Sequence, residues 1–235
     1  MADALISHED TINYWQSIDA DVNGMLGGFP LISRIDLQGS KNFLAKLGVG
    51  GKSGRKLNRA VDCGAGIGRI TEGVLLGIAS TVDIVEPIIK FTDALKDKAG
   101  VGKIINLGLE DWSPESSDTK YDLIWNQWCL GYLTDAQLQT YLEKCAKALD
   151  EGGLIIVKEN LTRSGGDLFD ENDSCVTRCD KKFREIFEKA GMKIKKTEIQ
   201  KGLPKRLYPV RIYALAPIHE VNGASIRSHE HKSPV

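Results

Sequence analysis

Histidine is nearly absent from this chain of 235 residues, and the few that occur lie near its two ends. The four are His8, His219, His229 and His231. Because no histidine occurs between residues 9 and 218, the middle of the chain supplies no imidazole as a base or metal ligand. This argues against a Ser-His-Asp or Cys-His hydrolase. Acid-base chemistry in the core must then use carboxylates, tyrosine, lysine, or a substrate that ionises readily by itself.

Cysteine is present, but not in the patterns that bind metals or build disulfide frameworks. The five cysteines, which include no CxxC pair, are Cys63, Cys129, Cys145, Cys175 and Cys179. An odd number of scattered thiols fits reduced cysteines better than a disulfide framework. The sequence therefore predicts no metal site.

Long apolar runs and a basic leader are missing as well. No stretch reaches the roughly 18 consecutive apolar residues that a bilayer span needs. The first ten residues, MADALISHED, are acidic rather than basic. We therefore expect a protein of the cytoplasm with no membrane partner, and the basic run KSGRK is too short to decide between cytoplasm and nucleus.

The overall composition is that of an ordinary globular protein. Charged residues make up 27%, hydrophobic residues 42%, and the formal net charge is −1. These values exclude a disordered chain or a coiled coil. The length favours one structural domain with embellishments, and we expect a monomer.

Three regions are predicted along the chain. Residues 1–50 form an N-terminal helical cap or lid, residues 51–217 form the core, and residues 218–235 form a flexible tail. The cap contains one amphipathic helix over 8–20, followed by a flexible turn, GMLGGF, at 24–29.

A second helix is predicted in the cap over residues 36–47. The glycine-rich and basic segment at 48–58 then predicts an exposed linker. We interpret the segment around Met25 as a lid that joins the N-terminal helix to a bound cofactor.

From residue 59 onward, short β-rich runs alternate with helical stretches, which is typical of a parallel sheet with crossover helices. Strands are predicted near 59–63, 81–86, 103–107, 121–126 and 154–159. A helix begins after Thr134, where Gln137 completes a capping box. The sequence therefore predicts an α/β fold.

The C-terminal part of the core is predicted as a loop, a helix and a hairpin. About 20 residues without periodicity follow the last parallel strand, and a helix is predicted over 179–190. Two β-like runs near 192–199 and 207–215 then predict an antiparallel hairpin.

The sharpest local signal is RAVDCGAGIGRIT at residues 59–71, in which a strand leads into three alternating glycines and a helix start. Such a loop lets the backbone pass close to a ligand. A dinucleotide fingerprint beginning at Gly64 would need glycine where Arg69 stands, which argues against NAD. The pattern D-x-G-x-G-x-G instead resembles the first motif of S-adenosylmethionine (SAM)-dependent methyltransferases.

Two charged residues fit that cofactor. Glu86 ends the second strand, 24 residues after Asp62, where a carboxylate would accept hydrogen bonds from the ribose hydroxyls. Arg69 follows the loop and could hold the methionine carboxylate with two hydrogen bonds.

Over about residues 13–215 the chain resembles the protein α-N-terminal methyltransferases, which modify chains beginning Xaa-Pro-Lys or Xaa-Pro-Arg. The motifs that carry the resemblance are YWQSI, GMLGGF, DCGAGIGRIT, GLEDWSPE, YDLIWNQWCLGYLTD, VKEN and DENDS. The resemblance implies a class I, Rossmann-like methyltransferase with a seven-stranded sheet in the order 3-2-1-4-5-7-6. It also implies methyl transfer from SAM to the α-amine of proteins that have lost their initiator methionine, ribosomal proteins included.

The resemblance also implies which residues form the site. The cofactor contacts are Gly64, Arg69, Glu86 with its neighbours Pro87 and Ile88, Leu109, Glu110 and Gln127. The substrate contacts are Trp15, Trp128, Asn160, Asp170 and Asp173, and the residues nearest the chemistry are Asp173, Asn160 and Tyr132. Better-known family members have histidine in place of Tyr132, so proton removal in this chain needs another explanation.

A site without histidine is chemically reasonable for this reaction. An α-amine, with a pKa of about 7.7–8.0, is roughly one tenth uncharged at pH 7 and needs little help from a base. Asp173 can orient the ammonium and accept its proton directly or through water. Tyr132, with a phenol pKa near 10, is a poor base but could bond to Asp173.

The charge pattern leaves rival interpretations open. Residues 159–173 carry a net charge of −4, which suits a basic tail, whereas residues 178–206 carry +7, which would suit RNA. We expect the basic run to be a solvated helix and hairpin face, and we expect no nucleic-acid partner. A methyltransferase of RNA or a small molecule, or a non-catalytic SAM-binding subunit, remains an alternative. A nicotinamide oxidoreductase is disfavoured by Arg69 and by the absence of a YxxxK pair.

Overall fold

The computed structural model describes residues 1–51, 54–114 and 118–218 of the chain. The strands in chain order are β1 Leu57–Cys63, β2 Ala79–Val85, β3 Val101–Ile105, β4 Tyr121–Gln127, β5 Leu149–Asn160, β6 Leu168–Asp170, β7 Cys175–Thr177, β8 Met192–Ile199 and β9 Val210–Pro217. Seven of them form one sheet in the order β3-β2-β1-β4-β5-β9-β8, and β6 pairs with β7. The predicted α/β fold and strand order are confirmed, since β8 and β9 are the sixth and seventh strands of the large sheet.

Helices surround this sheet and form the N-terminal cap. In chain order they are α1 His8–Ser17, α2 Val22–Met25, α3 Ile32–Ala45, α4 Arg69–Gly73, α5 Ile89–Thr92, α6 Asp135–Ala148 and α7 Asp180–Lys189. The predicted capping box of α6 is confirmed, because Thr134 Oγ1 accepts the Gln137 N–H and Gln137 Oε1 accepts the Thr134 N–H. The predicted hairpin is also confirmed, because β8 and β9 pair antiparallel.

The sheet is buried on both faces, as its runs of apolar residues predict. Val61 in β1 packs in a core cluster with side chains of α6 and α7. The preceding Ala60 packs in a second cluster that includes Phe43 and Leu44 of α3. Successive residues of a strand point to opposite faces, so a helical layer covers each side of the sheet. The carboxyl ends of β1, β2, β4 and β5 meet at one edge, where loops can form a site.

The cap differs from the prediction near its turn. Helix α1 ends at Ser17 rather than at residue 20, and the segment 24–29 begins inside the second short helix, α2. The Asp21 carboxylate accepts the Gly24 N–H at 2.7 Å and so caps α2. A local side-chain bond therefore orders a segment that its glycines marked as flexible.

Two boundaries after α2 also differ. Helix α3 begins at Ile32, four residues before the predicted start, and this places Asp36 inside the helix on its buried side. The predicted exposed linker at 48–58 is wrong at two apolar positions, since Val49 is 5% exposed and Leu57 is 1% exposed. Both side chains pack in the core cluster below α3.

The loop predicted after β5 contains the hairpin of β6 and β7, which the sequence did not reveal. Each strand has only three residues, too few to show a period of two. Of the predicted tail, the part after Ile218 lies outside the described residues. No helix in the described part of the chain is long and apolar enough to cross a membrane.

Candidate active site

A cavity of about 560 Å³ opens at the carboxyl ends of the central strands. Its walls come from the glycine loop after β1, the ends of β2, β4 and β5, the β6–β7 hairpin and the N-terminal helices. All fourteen residues predicted for the site line it, namely Trp15, Gly64, Arg69, Glu86, Pro87, Ile88, Leu109, Glu110, Gln127, Trp128, Tyr132, Asn160, Asp170 and Asp173. The structure thus brings the predicted cofactor and substrate residues together in one place.

The glycine loop is packed too closely for side chains. Gly64 and Gly66 have positive φ angles of 64° and 55°. A Cβ on Gly64 would collide with Cβ of Cys129, and one on Gly66 would lie 2.7 Å from Sδ of Met25. The loop therefore needs glycine for its conformation and for the close approach of its neighbours. Met25 also brings the predicted lid segment into contact with the loop.

Glu86 is tied to the glycine loop through its carboxylate. Oε2 accepts the Gly66 N–H at 2.8 Å, and Oε1 accepts the Ile88 N–H at 2.9 Å. Burial raises the pKa of Glu86 to about 7, although both backbone hydrogen bonds act in the opposite direction. Each carboxylate oxygen has a second lone pair, so Glu86 can still accept bonds from hydroxyl groups in the cavity.

The other charged cofactor candidate, Arg69, belongs to a buried network that the sequence did not reveal. Asp36 of α3 accepts a hydrogen bond from Arg69 Nη1 at 2.7 Å, and it accepts two from Gln127 Nε2 at 2.9 and 3.0 Å. Lys158 of β5 completes the network with Nζ 2.5 Å from Asp36 Oδ1. The sequence does hold a clue to this network, because two polar residues, Asp36 and Ser40, lie on the otherwise apolar face of α3.

The side of the cavity that Leu109 and Glu110 line, predicted to hold the adenine, includes a histidine. Leu109 is buried, and Glu110 Oε1 lies 3.6 Å from Nδ1 of His8. His8 Nε2 lies 3.0 Å from Nε2 of Gln137 in α6. The expectation of a site without imidazole is therefore wrong for this end of the cavity. His8 begins α1, and α1 lies over the sheet edge where the cavity opens. At the other end, the carboxylate of Asp173 pairs with a phenol.

Tyr132 and Asp173 form a hydrogen-bonded pair at the substrate end. Tyr132 Oη donates to Asp173 Oδ2 at 2.9 Å. Burial, and then the nearby Asp173 charge, raise the pKa of Tyr132 well above its usual value. Tyr132 is therefore a hydrogen-bond donor and not a base. Asp173 Oδ1 is buried and has no hydrogen-bond partner among the described residues, so it can accept from a cationic ligand.

Helix α1 holds the backbone that carries Asp173. Thr11 Oγ1 donates to the carbonyl oxygen of Asp173 at 3.3 Å, and the Ser7 N–H donates to Ser174 Oγ at 2.8 Å. Ser174 is 3% exposed and has a φ angle of 57°, which is uncommon for a residue other than glycine. These contacts fix an otherwise unfavourable turn beside the carboxylate.

The backbone that carries Tyr132 is held by Arg178, which sequence reasoning did not single out. Its fully buried guanidinium donates to the carbonyl oxygens of Leu130 and Leu133 at 2.9 and 2.5 Å, and to Asp135 Oδ1 at 2.9 Å. The first two acceptors flank Tyr132. Because Arg178 follows β7 directly, it joins the segment bearing Tyr132 to the segment bearing Asp173.

Aromatic side chains line the space between the cofactor and substrate residues. Trp15 stands edge-on to Tyr132, with ring centroids 6.2 Å apart. Trp128 has a φ angle of 55°, and the Arg69 guanidinium lies over its ring at 5.4 Å. The indole Nε1 of Trp128 is buried without a partner among the described residues. In contrast, Trp125 of β4 is fully buried in the core.

The acidic rim of the cavity and the basic segment 178–206 differ in the partners that their charged residues have. Asp170 at the rim accepts hydrogen bonds from Asn172, its own loop neighbour, and Asn160, at the end of β5, lines the same cavity. Five basic residues of the segment 178–206 form ion pairs, namely Arg178, Lys181, Lys182, Arg184 and Lys196. Three of these pairs use acidic residues of the same segment, which its net charge of +7 already counts. Asp135 and Asp167, which pair with Arg178 and Lys182, add compensating charge from outside it, so most of the positive charge is left over.

The cavity fits SAM. The backbone cradle of Gly64 and Gly66 lies beside Glu86, which has acceptor capacity for hydroxyl groups, and beside the Arg69 cation. Leu109 offers an apolar contact for a flat base. Among the described residues, no group of three or more His, Cys, Asp or Glu side chains is arranged to hold a metal ion.

Comparisons with known proteins find relatives that match most of the chain. The model of a family described as AdoMet dependent proline di-methyltransferase matches residues 3–216. The alpha N-terminal protein methyltransferase 1 of Schizosaccharomyces pombe is 45% identical over 215 residues, which span 89% of this chain and 96% of that protein. The N-terminal Xaa-Pro-Lys N-methyltransferase 1-B of Xenopus laevis is 39% identical over 208 residues, with coverages of 86% and 92%.

Solved structures are similar over most of the chain. A SAM-dependent methyltransferase from Leishmania major has a TM-score of 0.82 and 36% identity, and the match covers 88% of this chain and 82% of that one. The N-methyltransferase NodS from Bradyrhizobium japonicum has a TM-score of 0.60 at 14% identity, over 79% of this chain and 98% of that one. The second similarity concerns the fold alone.

Proposed function

The chain belongs to the family of AdoMet-dependent proline di-methyltransferases, and on that premise we propose that it methylates the α-amine of proteins beginning Xaa-Pro-Lys or Xaa-Pro-Arg. It is a SAM-dependent methyltransferase, and SAM supplies the methyl group from its sulfonium. The observation that carries the choice of substrate is Asp173, which lines a cavity with an acidic rim and whose buried Oδ1 is unpartnered among the described residues. Such a carboxylate suits a terminal ammonium.

The chain's residues would divide the work of binding. Glu86 would accept the ribose hydroxyls, and Arg69 with Gln127 would bind the amino-acid end of the cofactor. Leu109 and Glu110 would flank the adenine. Each of these side chains lines the cavity, and Glu86 and Arg69 have the charges that the corresponding cofactor groups need.

The substrate residues would orient the tail and remove one proton. Only an uncharged amine has the lone pair that attacks the sulfonium methyl group, so the α-ammonium must lose a proton first. Asp173 takes up that proton directly or through water, while Tyr132 holds the other carboxylate oxygen in place. Trp15 and Trp128 form the walls for a proline ring.

The remaining substrate contacts are polar. Asn160, at the end of β5, offers an amide for the substrate backbone near the reacting amine. Asp170 at the rim offers a carboxylate for the basic third residue. Both line the same cavity as Asp173, which supports binding of three consecutive substrate residues.

Mass spectrometry of a synthetic peptide beginning Pro-Pro-Lys, incubated with the protein and SAM, tests this function. The same peptide with an acetylated N-terminus is the control. Methyl gains on the unblocked peptide alone are expected, and their number gives the final methylation state. No gain on either peptide, with cofactor binding measured separately, would reject the α-amine and favour RNA or a small molecule.

The cellular setting is also a proposal. The acidic rim suits basic tails, so we propose ribosomal proteins among the substrates; their N-termini should lose methylation in cells lacking this chain. No disulfide joins any of the five cysteines, all of which lie in the described part of the chain, and this supports a reducing compartment such as the cytoplasm, with the nucleus as a second location. Microscopy of a fluorescent fusion tests the location, and light scattering tests the proposed monomer.

A further inference from the structure

We propose that Asp36 is a positioning residue of the cofactor site, which holds Arg69 and Gln127 so that they bind the amino-acid end of SAM. The proposal rests on the proposed cofactor contacts of those two residues. Asp36 belongs to α3 in the N-terminal cap, 33 residues before Arg69 and 91 before Gln127. It would therefore make cofactor binding depend on a helix outside the sheet and the glycine loop.

The first argument is the geometry of the carboxylate. Oδ2 accepts from Arg69 Nη1 at 2.7 Å and from Gln127 Nε2 at 2.9 Å, and Oδ1 accepts from the same Gln127 nitrogen at 3.0 Å. Arg69 begins α4, and Gln127 ends β4. One side chain thus fixes two polar groups that come from different elements and line the same cavity.

The second argument is burial. Asp36 is fully buried, and the side chain of Arg69 is only 9% exposed. A charge-assisted hydrogen bond in such surroundings is strong and directional, so it restricts the rotamer of the long arginine side chain. The guanidinium carries five N–H groups, and Asp36 binds Nη1, so further donors of Arg69 can serve a ligand.

The third argument is the role of Lys158 behind the carboxylate. Lys158 is fully buried in β5, and its Nζ forms an ion pair with the Asp36 carboxylate. The same Nζ donates to the backbone carbonyl oxygen of Asp36 at 3.1 Å and to Ser40 Oγ at 2.9 Å. Lys158 does not line the cavity. Burial alone would raise the pKa of Asp36, but the Lys158 and Arg69 cations hold it below its usual value. The carboxylate thus stays ionised, as a constraint on Arg69 requires.

Calorimetry with two ligands distinguishes positioning from a general structural role. S-adenosylhomocysteine contains the amino-acid end, whereas 5′-methylthioadenosine lacks it. We expect Asp36→Asn to lower the affinity for S-adenosylhomocysteine about tenfold and to change the affinity for methylthioadenosine by less than about twofold. Equal losses for both ligands would overturn the proposal, and so would unchanged affinity for both in a folded variant.

Because Asp36→Asn leaves Lys158 buried without its counter-charge, this variant could fail to fold. The double variant Asp36→Asn with Lys158→Met removes the unpaired cation and should show the same selective loss. Normal binding of S-adenosylhomocysteine by the folded double variant would also overturn the proposal. If the wild-type protein binds neither ligand, the proposed function itself fails, which is a different result.

Asp83 offers a matched control. It is fully buried in β2 and binds the Arg59 guanidinium through both oxygens at 3.0 and 2.8 Å, but it does not line the cavity. Asp83→Asn should lower the melting temperature without changing the ratio of the two affinities. A changed ratio in this control would show that loss of any buried ion pair disturbs the cofactor site, and the proposal would fall.

Discussion

The hydroxyl of Tyr132 donates a 2.9 Å hydrogen bond to Oδ2 of Asp173, and this leaves Oδ1 as the buried oxygen without a partner in the described part of the chain. The pair is built from two segments 41 residues apart. Because the phenol can only donate in this arrangement, it fixes the orientation of the carboxylate and leaves Oδ1 free to accept a further hydrogen bond. Tyr132 thus orients the carboxylate through this hydrogen bond.

Tyr132→Phe should lower kcat for the peptide about tenfold while leaving the affinity for S-adenosylhomocysteine unchanged. The substitution keeps the ring but removes the hydrogen bond that holds Asp173. Steady-state kinetics and calorimetry provide the two measurements. Tyr121→Phe is a matched control, since Tyr121 is a buried tyrosine that bonds to Asp83 outside the cavity. Unchanged kcat in Tyr132→Phe would show that the hydroxyl has no part in turnover.

Asp173→Asn should reduce turnover by about a hundredfold and retain cofactor binding. The amide keeps the shape of the side chain but can neither take up the amine proton nor attract an ammonium. Glu171→Gln, an exposed change in the same loop, should alter turnover by less than about threefold. If Asp173→Asn turned over like the wild type, a non-catalytic role for this carboxylate would follow.

Cofactor affinity should fall as the pH falls through about 7. Burial raises the pKa of Glu86 to about 7, and ribose hydroxyls bond better to the ionised carboxylate than to the acid. Between pH 8 and pH 6 the affinity for S-adenosylhomocysteine should therefore drop by up to about tenfold. The Glu86→Gln variant should bind S-adenosylhomocysteine weakly at both pH values, and its affinity should depend little on pH. A slope that persists in this variant would assign the effect to other buried acids, such as Asp62 and Glu159.

Glu159 provides a test of stability rather than binding. Burial raises its pKa to about 7, although its Oε1 accepts the N–H groups of Cys129 and Leu130. Between about pH 4.5 and 7 the folded state then holds a proton that the unfolded state has lost, so this residue lowers stability as the pH rises. Glu159→Gln keeps the acceptor oxygen and should stabilise the protein at pH 8 by about 1–3 kcal/mol.

Denaturant unfolding at pH 8 and pH 5 measures that difference. The gain in Glu159→Gln should be largest at pH 8 and much smaller at pH 5, which lies near the lower end of that window. A variant that is less stable at both values would show that the second carboxylate oxygen makes contacts worth more than the cost of burying its charge.

Local patterns were enough to predict the strands, the glycine loop and Glu86, because each is encoded by a few neighbouring residues. The sequence could not reveal that Asp36 meets Lys158, since 122 residues separate them and no local period joins them. His8 was missed for a similar reason, since the return of α1 over the sheet edge is a tertiary feature. The resemblance to a family supplied Asp173 and Tyr132, and only the structure revealed their hydrogen bond.

A substitution at Arg178 should affect both the stability of the fold and the rate of turnover. Its guanidinium satisfies two backbone carbonyl groups on either side of Tyr132, so a lysine in its place would leave buried acceptors unpaired. Arg178→Lys should cost about 2–4 kcal/mol of unfolding free energy and should lower kcat more than it raises KM, because the turn that bears Tyr132 loosens.

The control for this prediction is Arg184→Lys on the exposed face of α7. Arg184 also pairs with an acidic residue, Asp180, but both side chains are partly exposed, so the change should alter stability by less than about 0.5 kcal/mol. Urea denaturation gives both values, and peptide kinetics give kcat. If Arg178→Lys proved as mild as the control, the carbonyl bonds would not be what fixes the turn, and Tyr132 would have to be held by its hydrogen bond to Asp173 and its packing against Trp15.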